Sequence, residues 1–158
     1  MLKTTVISQP GMRFAQANAL IESLLSDDKF NEMKLSERNR VISRITSEIQ
    51  GRMMEDIVLL ETKPASPKKQ VFRLQFSYGE FDMVVFEPQA ETCKIFEIKH
   101  SERVAEEQYA HLINEEKCDM TERRFGTIAG KYVIYRGKTQ EVNGIHYVNV
   151  EEYLKSLA

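Results

Sequence analysis

Two short apolar segments, residues 81–86 and 93–98, lie on either side of a polar stretch that contains a proline. Segments rich in Val, Ile and Phe around such a loop are typical of an antiparallel β-hairpin. If the hairpin folds about its middle, Asp82 lies opposite Glu97. This pairing constrains the chain more than any other feature, because it brings two carboxylates together among apolar neighbours.

The surroundings of the two carboxylates predict a cation site. Side chains alternate between the faces of a strand, so Lys99 lies on the same face as Glu97, and Val84 pairs with Ile95 close by. Like charges directly opposite each other on a sheet are destabilising, with Cβ atoms roughly 5 Å apart. Asp82 and Glu97 therefore favour a bridging metal ion with oxygen ligands. The alternative is a surface strand on which Lys99 makes a cross-strand salt bridge.

Asp82, followed later by Glu97, Ile98 and Lys99, resembles the active-site signature of the PD-(D/E)xK phosphodiesterases. This restriction-endonuclease-like superfamily consists of metal-dependent nucleases. Phe81 stands where the signature has proline, a position that varies in the superfamily. A lone pattern of acid, any residue and lysine carries little weight, since it occurs elsewhere in this chain. The strand context and the opposed Asp82 distinguish this example.

The resemblance implies a role for each residue of the motif. Asp82, Glu97 and the main-chain carbonyl of Ile98 would hold Mg²⁺ or Mn²⁺ as the cofactor. Lys99 would position or deprotonate the attacking water and screen the charge that develops on the phosphate. The product would be a cleaved phosphodiester bond.

Two helical residues are also implied by the resemblance. In this superfamily the first core helix often supplies a glutamate, and Glu55 matches that place, where it would orient a water or hold a second ion. The alternative is an ion pair of Glu55 with Arg52 or with a distant arginine. Gln108 matches a glutamine that reaches the active site in some branches, although Leu112 replaces the tyrosine usual four residues later. The alternative is a core glutamine whose hydrogen bonds are satisfied.

Hydrophobic periodicity predicts the other elements. We expect helices over 10–25, 37–61 and 101–117, strands over 71–76, 132–135 and 145–150, and a short final helix. Ser36, Ser101 and Asn149 are the expected N-caps of three helices. Arg123 and Arg124 fall in an expected turn-rich connection.

The order of these elements predicts an α/β (α+β) fold with a mixed central sheet flanked by helices. From the second helix onward it matches the α-β-β-β-α-β core for which the restriction-endonuclease-like superfamily is known. We expect residues 1–35 to form an N-terminal helical extension and residues 36–158 to form the nuclease-like domain. At 158 residues the two parts make a single compact unit.

Composition limits the partners. The net charge is −2, so any surface for nucleic acid must be local. The expected surface consists of Lys63, Lys68, Lys69 and Arg73 on one side and of Arg123, Arg124 and Lys131 on the other. Cys93 is expected in the core, since the two cysteines lack metal-ligand or disulfide-framework spacing. Without an apolar run of about 18 residues or a signal peptide, we expect a cytoplasmic protein with no membrane partner.

The expected function is a Mg²⁺-dependent nuclease that acts on nucleic acid, with DNA as the expected substrate. Residues 51–56 and 96–101 more closely resemble the nuclease-like C-terminal domain of prokaryotic P-loop (AAA-type) ATPases. That resemblance implies an ATPase module in the same or another chain. The alternatives are a catalytically silent module that binds nucleic acid or regulates an ATPase, and a structural domain whose acids form salt bridges. The sequence leaves RNA as substrate and a homo-oligomer open.

Overall fold

Helices and strands share the chain in the computed structural model, which describes residues 2–4 and 10–158. The helices are α1 (Pro10–Leu25), α2 (Asp28–Glu32), α3 (Leu35–Ala65), α4 (Glu115–Phe125) and α5 (Val150–Ser156). The strands are β1 (Leu2–Thr4), β2 (Gln70–Gln75), β3 (Glu80–Glu87), β4 (Thr92–Lys99), β5 (Thr127–Tyr135), β6 (Gln140–Val142) and β7 (Ile145–Asn149).

The described strands form one seven-stranded sheet in the order β1-β2-β3-β4-β5-β7-β6. Strands β1 to β4 pair antiparallel, β4 with β5 and β5 with β7 pair parallel, and β6 returns antiparallel to β7. This mixed sheet with flanking helices confirms the predicted fold class. Helix α3, strands β2 to β4, helix α4 and strand β5 follow one another in the α-β-β-β-α-β order.

Each face of the sheet is covered by a different part of the chain. Helix α3 buries Met54, Val58 and Leu59 in one hydrophobic cluster. On the other side, the segment between β4 and β5 buries Leu112 and Phe125 in a second cluster. The charged end of the β3–β4 hairpin lies between these two layers, which accounts for the burial of its side chains.

The β3–β4 hairpin has the predicted register. Val84 pairs with Ile95 and Glu87 with Thr92, as the alternation of apolar side chains requires. Cys93 is a buried core residue, also as predicted. The sequence therefore contained enough local information to align these two strands.

The helix predicted over 101–117 is wrong. The Ser101 hydroxyl accepts a hydrogen bond from the N–H of Arg103 within a tight turn and caps no helix. The chain then makes a 3₁₀ turn at Glu106–Gln108, and α4 begins only after Asn114. The side chain of Asn114 accepts an N–H of the first turn of α4, which explains why the helix starts there.

Other boundaries also differ from the prediction. Arg123 and Arg124 lie in the last turn of α4, where basic side chains interact favourably with the helix dipole, and not in a loop. Lys34, and not Ser36, precedes α3, and the carboxylate of Glu37 accepts its main-chain N–H at 3.1 Å. Helix α2 and strands β1 and β6 were not predicted. Asn149 caps α5 as expected.

Within the described residues, no helix combines the length and the apolar character needed to cross a bilayer.

Gly126 joins α4 to β5 and provides a test of this connection. Its φ is 73°, and a Cβ atom there would lie 1.7 Å from the main-chain oxygen of Glu91. We expect Gly126→Ala to lower the free energy of unfolding by about 3 kcal/mol or more, measured by urea denaturation. Gly144→Ala is the matched control, because its φ is 76° but nothing lies within 4 Å of the added atom. That variant should lose about 1 kcal/mol. Equal losses would contradict the close packing at Gly126.

Candidate active site

The open end of the β3–β4 ladder brings the predicted motif together. Oδ2 of Asp82 accepts the main-chain N–H of Ile98 at 2.7 Å and lies 3.3 Å from Nζ of Lys99. The same Nζ lies 2.6 Å from Oε2 of Glu97. The two carboxylates that the sequence placed opposite each other thus share one ammonium group.

These charges are buried to different degrees. Glu97 is 1% exposed and Asp82 is 5% exposed. The side chain of Lys99 is 33% exposed and extends towards solvent. Oε1 of Glu97 is buried and has no hydrogen-bond partner in the described part of the chain. A buried carboxylate oxygen without a donor is costly, so Glu97 has capacity for one more positively charged or donor group.

The cluster shifts the proton affinity of its members. Burial, and then the charge of Asp82, raise the pKa of Glu97 to about 8. The same two causes raise the pKa of Glu55 to about 7. Burial lowers the pKa of Lys99, but Asp82 and Glu97 outweigh this effect and raise it. Glu97 and Glu55 therefore keep their protons to a higher pH than ordinary glutamates, chiefly because burial disfavours their charged forms.

Glu55 belongs to the same cleft. Its carboxylate on α3 lies 3.2 Å from Nη2 of Arg73, a buried arginine on β2. The cleft has a volume of about 360 Å³, and its lining includes Glu55, Asp82, Glu97, Lys99 and His111. Glu55 therefore lies in the cleft and also pairs with an arginine distant in sequence, although this arginine is buried and not at the surface as the alternative interpretation expected.

Asp56 and two arginines extend this network away from the cleft, and sequence reasoning did not include Asp56. Asp56 is fully buried, its Oδ2 accepts a hydrogen bond from Arg13 of α1, and its Oδ1 lies 3.5 Å from Nη2 of Arg73. Arg73 therefore forms ion pairs with both Glu55 and Asp56. The available signal was an acidic pair inside an apolar helical segment, which requires buried partners.

Gln108 does not reach the cleft. Its side chain accepts the N–H of Ala105 at 3.1 Å and donates to the carbonyl of Arg103 at 2.9 Å. These two hydrogen bonds close a local turn. Gln108 is therefore a glutamine whose hydrogen bonds are satisfied, which was the alternative interpretation. The prediction failed because Gln108 lies in a 3₁₀ turn and not on a long helix.

Part of the expected basic surface is engaged elsewhere, and Arg73 is buried and so does not belong to a surface. Lys69 pairs with Glu87 at 3.0 Å, and Nζ of Lys131 lies 3.4 Å from Sγ of Cys118. The basic side chains that line the cleft are instead Arg52 and Lys99. Any electrostatic attraction of a polyanion to the cleft must therefore begin with these two residues.

Sequence reasoning did not identify His111 as a residue of the cleft, or Lys117 as its buried contact. The imidazole of His111 lines the cleft, and Nδ1 of His111 lies 2.7 Å from Nζ of Lys117, which is 1% exposed. No sequence signal predicted this contact, because a nonhelical segment and the start of α4 together bring the two side chains into range.

The described residues contain no group of three or more His, Cys, Asp or Glu side chains arranged to hold a metal ion. The donor set nevertheless fits a divalent cation in part. Lys99 lies between Asp82 and Glu97, and Oε1 of Glu97 lacks a partner. An ion bridging the two carboxylates requires Nζ of Lys99 to move, and the partial exposure of this side chain gives it a path.

Comparison of the chain with protein-family models, with curated proteins and with solved structures finds no match. The chemical capacity of the cleft follows from its own residues. Asp82 and Glu97 can bind a cation, Lys99 can donate to an anion, and Glu55 can exchange a proton near neutral pH.

The raised pKa values predict a pH-dependent stability. The folded chain keeps protons on Glu97 and Glu55 up to about pH 8 and 7, whereas ordinary glutamates release them near 4.5. Stability therefore falls as pH rises through this window. We expect the free energy of unfolding of Glu97→Gln, measured in EDTA, to be close to that of the wild type at about pH 5. At about pH 8.5 the variant should be more stable than the wild type by about 2 kcal/mol.

Chemical denaturation at both pH values measures this difference. Glu48→Gln is the control, because Glu48 lines the same cleft with a side chain that is 64% exposed. If Glu97→Gln differed from the wild type by the same free energy of unfolding at both pH values, the raised pKa of Glu97 would be contradicted.

Proposed function

We propose that this chain is a metal-dependent phosphodiesterase domain that hydrolyses nucleic acid, with DNA as the substrate and Mg²⁺ or Mn²⁺ as the cofactor. The observation that carries the proposal is the convergence of Asp82, Glu97 and Lys99 at the end of one hairpin, with Glu55 in the same cleft. These are the residues that the PD-(D/E)xK resemblance implies.

Each residue has a distinct task in this proposal. Asp82 and Glu97, together with the carbonyl of Ile98, would hold the ion, which would supply positive charge and lower the pKa of a bound water. Lys99, released from the two carboxylates, would donate to a phosphate oxygen and orient the attacking water. Glu55, with a pKa raised to about 7, is suited to take a proton from that water.

A second candidate is a catalytically silent module that binds nucleic acid or an ATPase and regulates the latter. One observation favours it: Lys99 already compensates both carboxylates, so the fold does not require an ion. Exposed apolar side chains on α1 add a surface that suits a protein partner. They are Met12, Phe14, Leu20 and Leu25. This candidate predicts no response to divalent cations.

Metal binding separates the two candidates. We expect MnCl₂ at millimolar concentration to raise the melting temperature of the wild type over that in EDTA by about 3–6 °C. Asp82→Asn should not respond, because the amide keeps the acceptor for Ile98 but loses the charge. Asp119→Asn, at an exposed position on α4, is the control and should respond like the wild type. A wild type that ignores Mn²⁺ would overturn the metal site.

Cleavage tests the reaction itself. With labelled single-stranded and double-stranded DNA and with RNA, we expect Mn²⁺-dependent cleavage by the wild type and a rate at least about 100-fold lower for Lys99→Met. Lys155→Met is the control, since that side chain is 79% exposed on α5. Metal binding without cleavage of any substrate would favour the regulatory module. Equal rates for wild type and Lys99→Met would contradict the assigned role.

A further inference from the structure

Lys117 on α4 is a buried cation with an unusual set of neighbours. It is 1% exposed and makes no ion pair with any carboxylate of the described residues. Its Nζ lies 2.7 Å from Nδ1 of His111 and above the rings of Phe76 and Tyr78, at 5.1 and 4.8 Å from their centroids. Burial of an unpaired charge costs free energy, so an apolar side chain would fill this place more cheaply. Burial lowers the pKa of Lys117, and the charge of Glu97 raises it in part. Packing alone therefore does not explain a lysine at this place.

His111 is held firmly beside the cleft. It lies between two buried anchors, Tyr109 and Leu112, which are 6% and 0% exposed. The N–H of Leu112 donates to the carbonyl of Tyr109 at 2.9 Å, and the N–H of Asn114 donates to the carbonyl of His111 at 3.3 Å. These bonds fix the main chain of a segment without regular helix. The imidazole consequently has a defined position among the cleft residues.

The contact with Lys117 determines the tautomer of His111. An ammonium group has three donors and no acceptor, so Nδ1 of His111 must accept and carries no proton. The hydrogen of the neutral ring then lies on Nε2. Burial, Lys117 and Lys99 lower the pKa of His111 and outweigh the charge of Asp82, which raises it, so the neutral ring is favoured. The second ring nitrogen is thereby left as a donor for the cleft.

Gly79 in the turn between β2 and β3 restricts both side chains. Its φ is 70°, and a Cβ atom there would lie 2.9 Å from Nζ of Lys117 and 2.9 Å from Cε1 of His111. The main chain of the turn thus packs directly against the pair. The imidazole has little room to rotate, so the direction of its free nitrogen is set by the fold.

We propose that Lys117 is a positioning residue that fixes His111 as the Nε2–H tautomer, and that His111 donates this hydrogen to an anionic phosphate oxygen of the substrate. The proposal rests on the phosphodiester function proposed above. It adds a substrate-binding residue from outside the motif, on the segment whose structure the sequence did not predict.

The charges of the cleft explain why a neutral donor is useful. Asp82 repels a phosphate, as do Glu97 and Glu55 when they are ionised, and the ammonium of Lys99 already contacts two carboxyl groups. A neutral N–H is less strongly attracted to these acids than an ammonium group is. His111 therefore stays available to the substrate, and a donor fixed in direction needs no reorganisation when the phosphate arrives.

The tautomer can be measured without any activity. The chain has three histidines, so long-range ¹H–¹⁵N correlation spectra can be assigned by substitution. We expect the Nε2–H pattern for His111 in the wild type and a mixture of tautomers in Lys117→Met, with His100 and His146 unchanged. A protonated Nδ1 in the wild type would overturn the proposal, whether or not Lys117→Met folds.

Substrate binding tests the donor. The amide nitrogen of Gln can take the place of Nε2, whereas that of Asn is too short to do so. We therefore expect His111→Asn to weaken binding of a labelled oligonucleotide in EDTA about 10-fold, and His111→Gln to retain most of the wild-type affinity. Where cleavage is observed, the rate should follow the same order. His146→Asn is the control on an exposed histidine.

The two measurements also separate this inference from the proposed nuclease function. If the wild type binds oligonucleotide more tightly than His111→Asn but cleaves no substrate, the donor role of His111 is supported and the nuclease function is overturned. Equal affinities of wild type and His111→Asn overturn the donor even if DNA is cleaved.

Discussion

The register of β3 and β4 determines where the charges of the cleft lie. Side chains on paired strands alternate between two faces, so a slip of one strand by one residue would place Asp82 and Glu97 on different faces of the sheet. Apolar pairs such as Val84 with Ile95 fix the register, because both are fully buried. The hydrophobic core therefore supplies the free energy that holds two carboxylates together, and Lys99 reduces the cost of that arrangement.

Each buried or partly buried cation of this region has its own set of neighbours. Lys99 serves the carboxylates on β3 and β4, Arg73 serves Glu55 and Asp56 on α3, and Lys117 contacts His111 without an acid. The first two groups stabilise charges that the fold has already buried. In the proposal made above, Lys117 orients the neutral ring of His111, and its burial is unfavourable to its own charge. Functional sites commonly lower the free energy of unfolding in this way, because they must preserve a geometry.

Local patterns predicted the hairpin and its charged end, because strand alternation and the connecting loop are short-range properties. Asp82, Glu97 and Lys99 followed from that register. The segment after Lys99 was not predictable in the same way. Tyr109 and Leu112 are buried against strands distant in sequence, so tertiary packing replaced the helix that their spacing suggested. Gln108 was therefore misplaced and the contact of His111 with Lys117 was missed. Arg73 lay on a predicted strand, but its partners lie on α3.

The ion pairs around Asp56 connect the N-terminal helix to a titrating group. Arg13 on α1 binds Asp56, Asp56 shares Arg73 with Glu55, and Arg73 lowers the proton affinity of Glu55. Thermodynamic linkage makes such a connection reciprocal. If a bound molecule draws Arg13 away from Asp56, Arg73 interacts more strongly with Asp56 and less strongly with Glu55. The pKa of Glu55 then rises, although the molecule does not contact Glu55. By the same reciprocity, each proton that Glu55 gains or loses alters how tightly α1 is held.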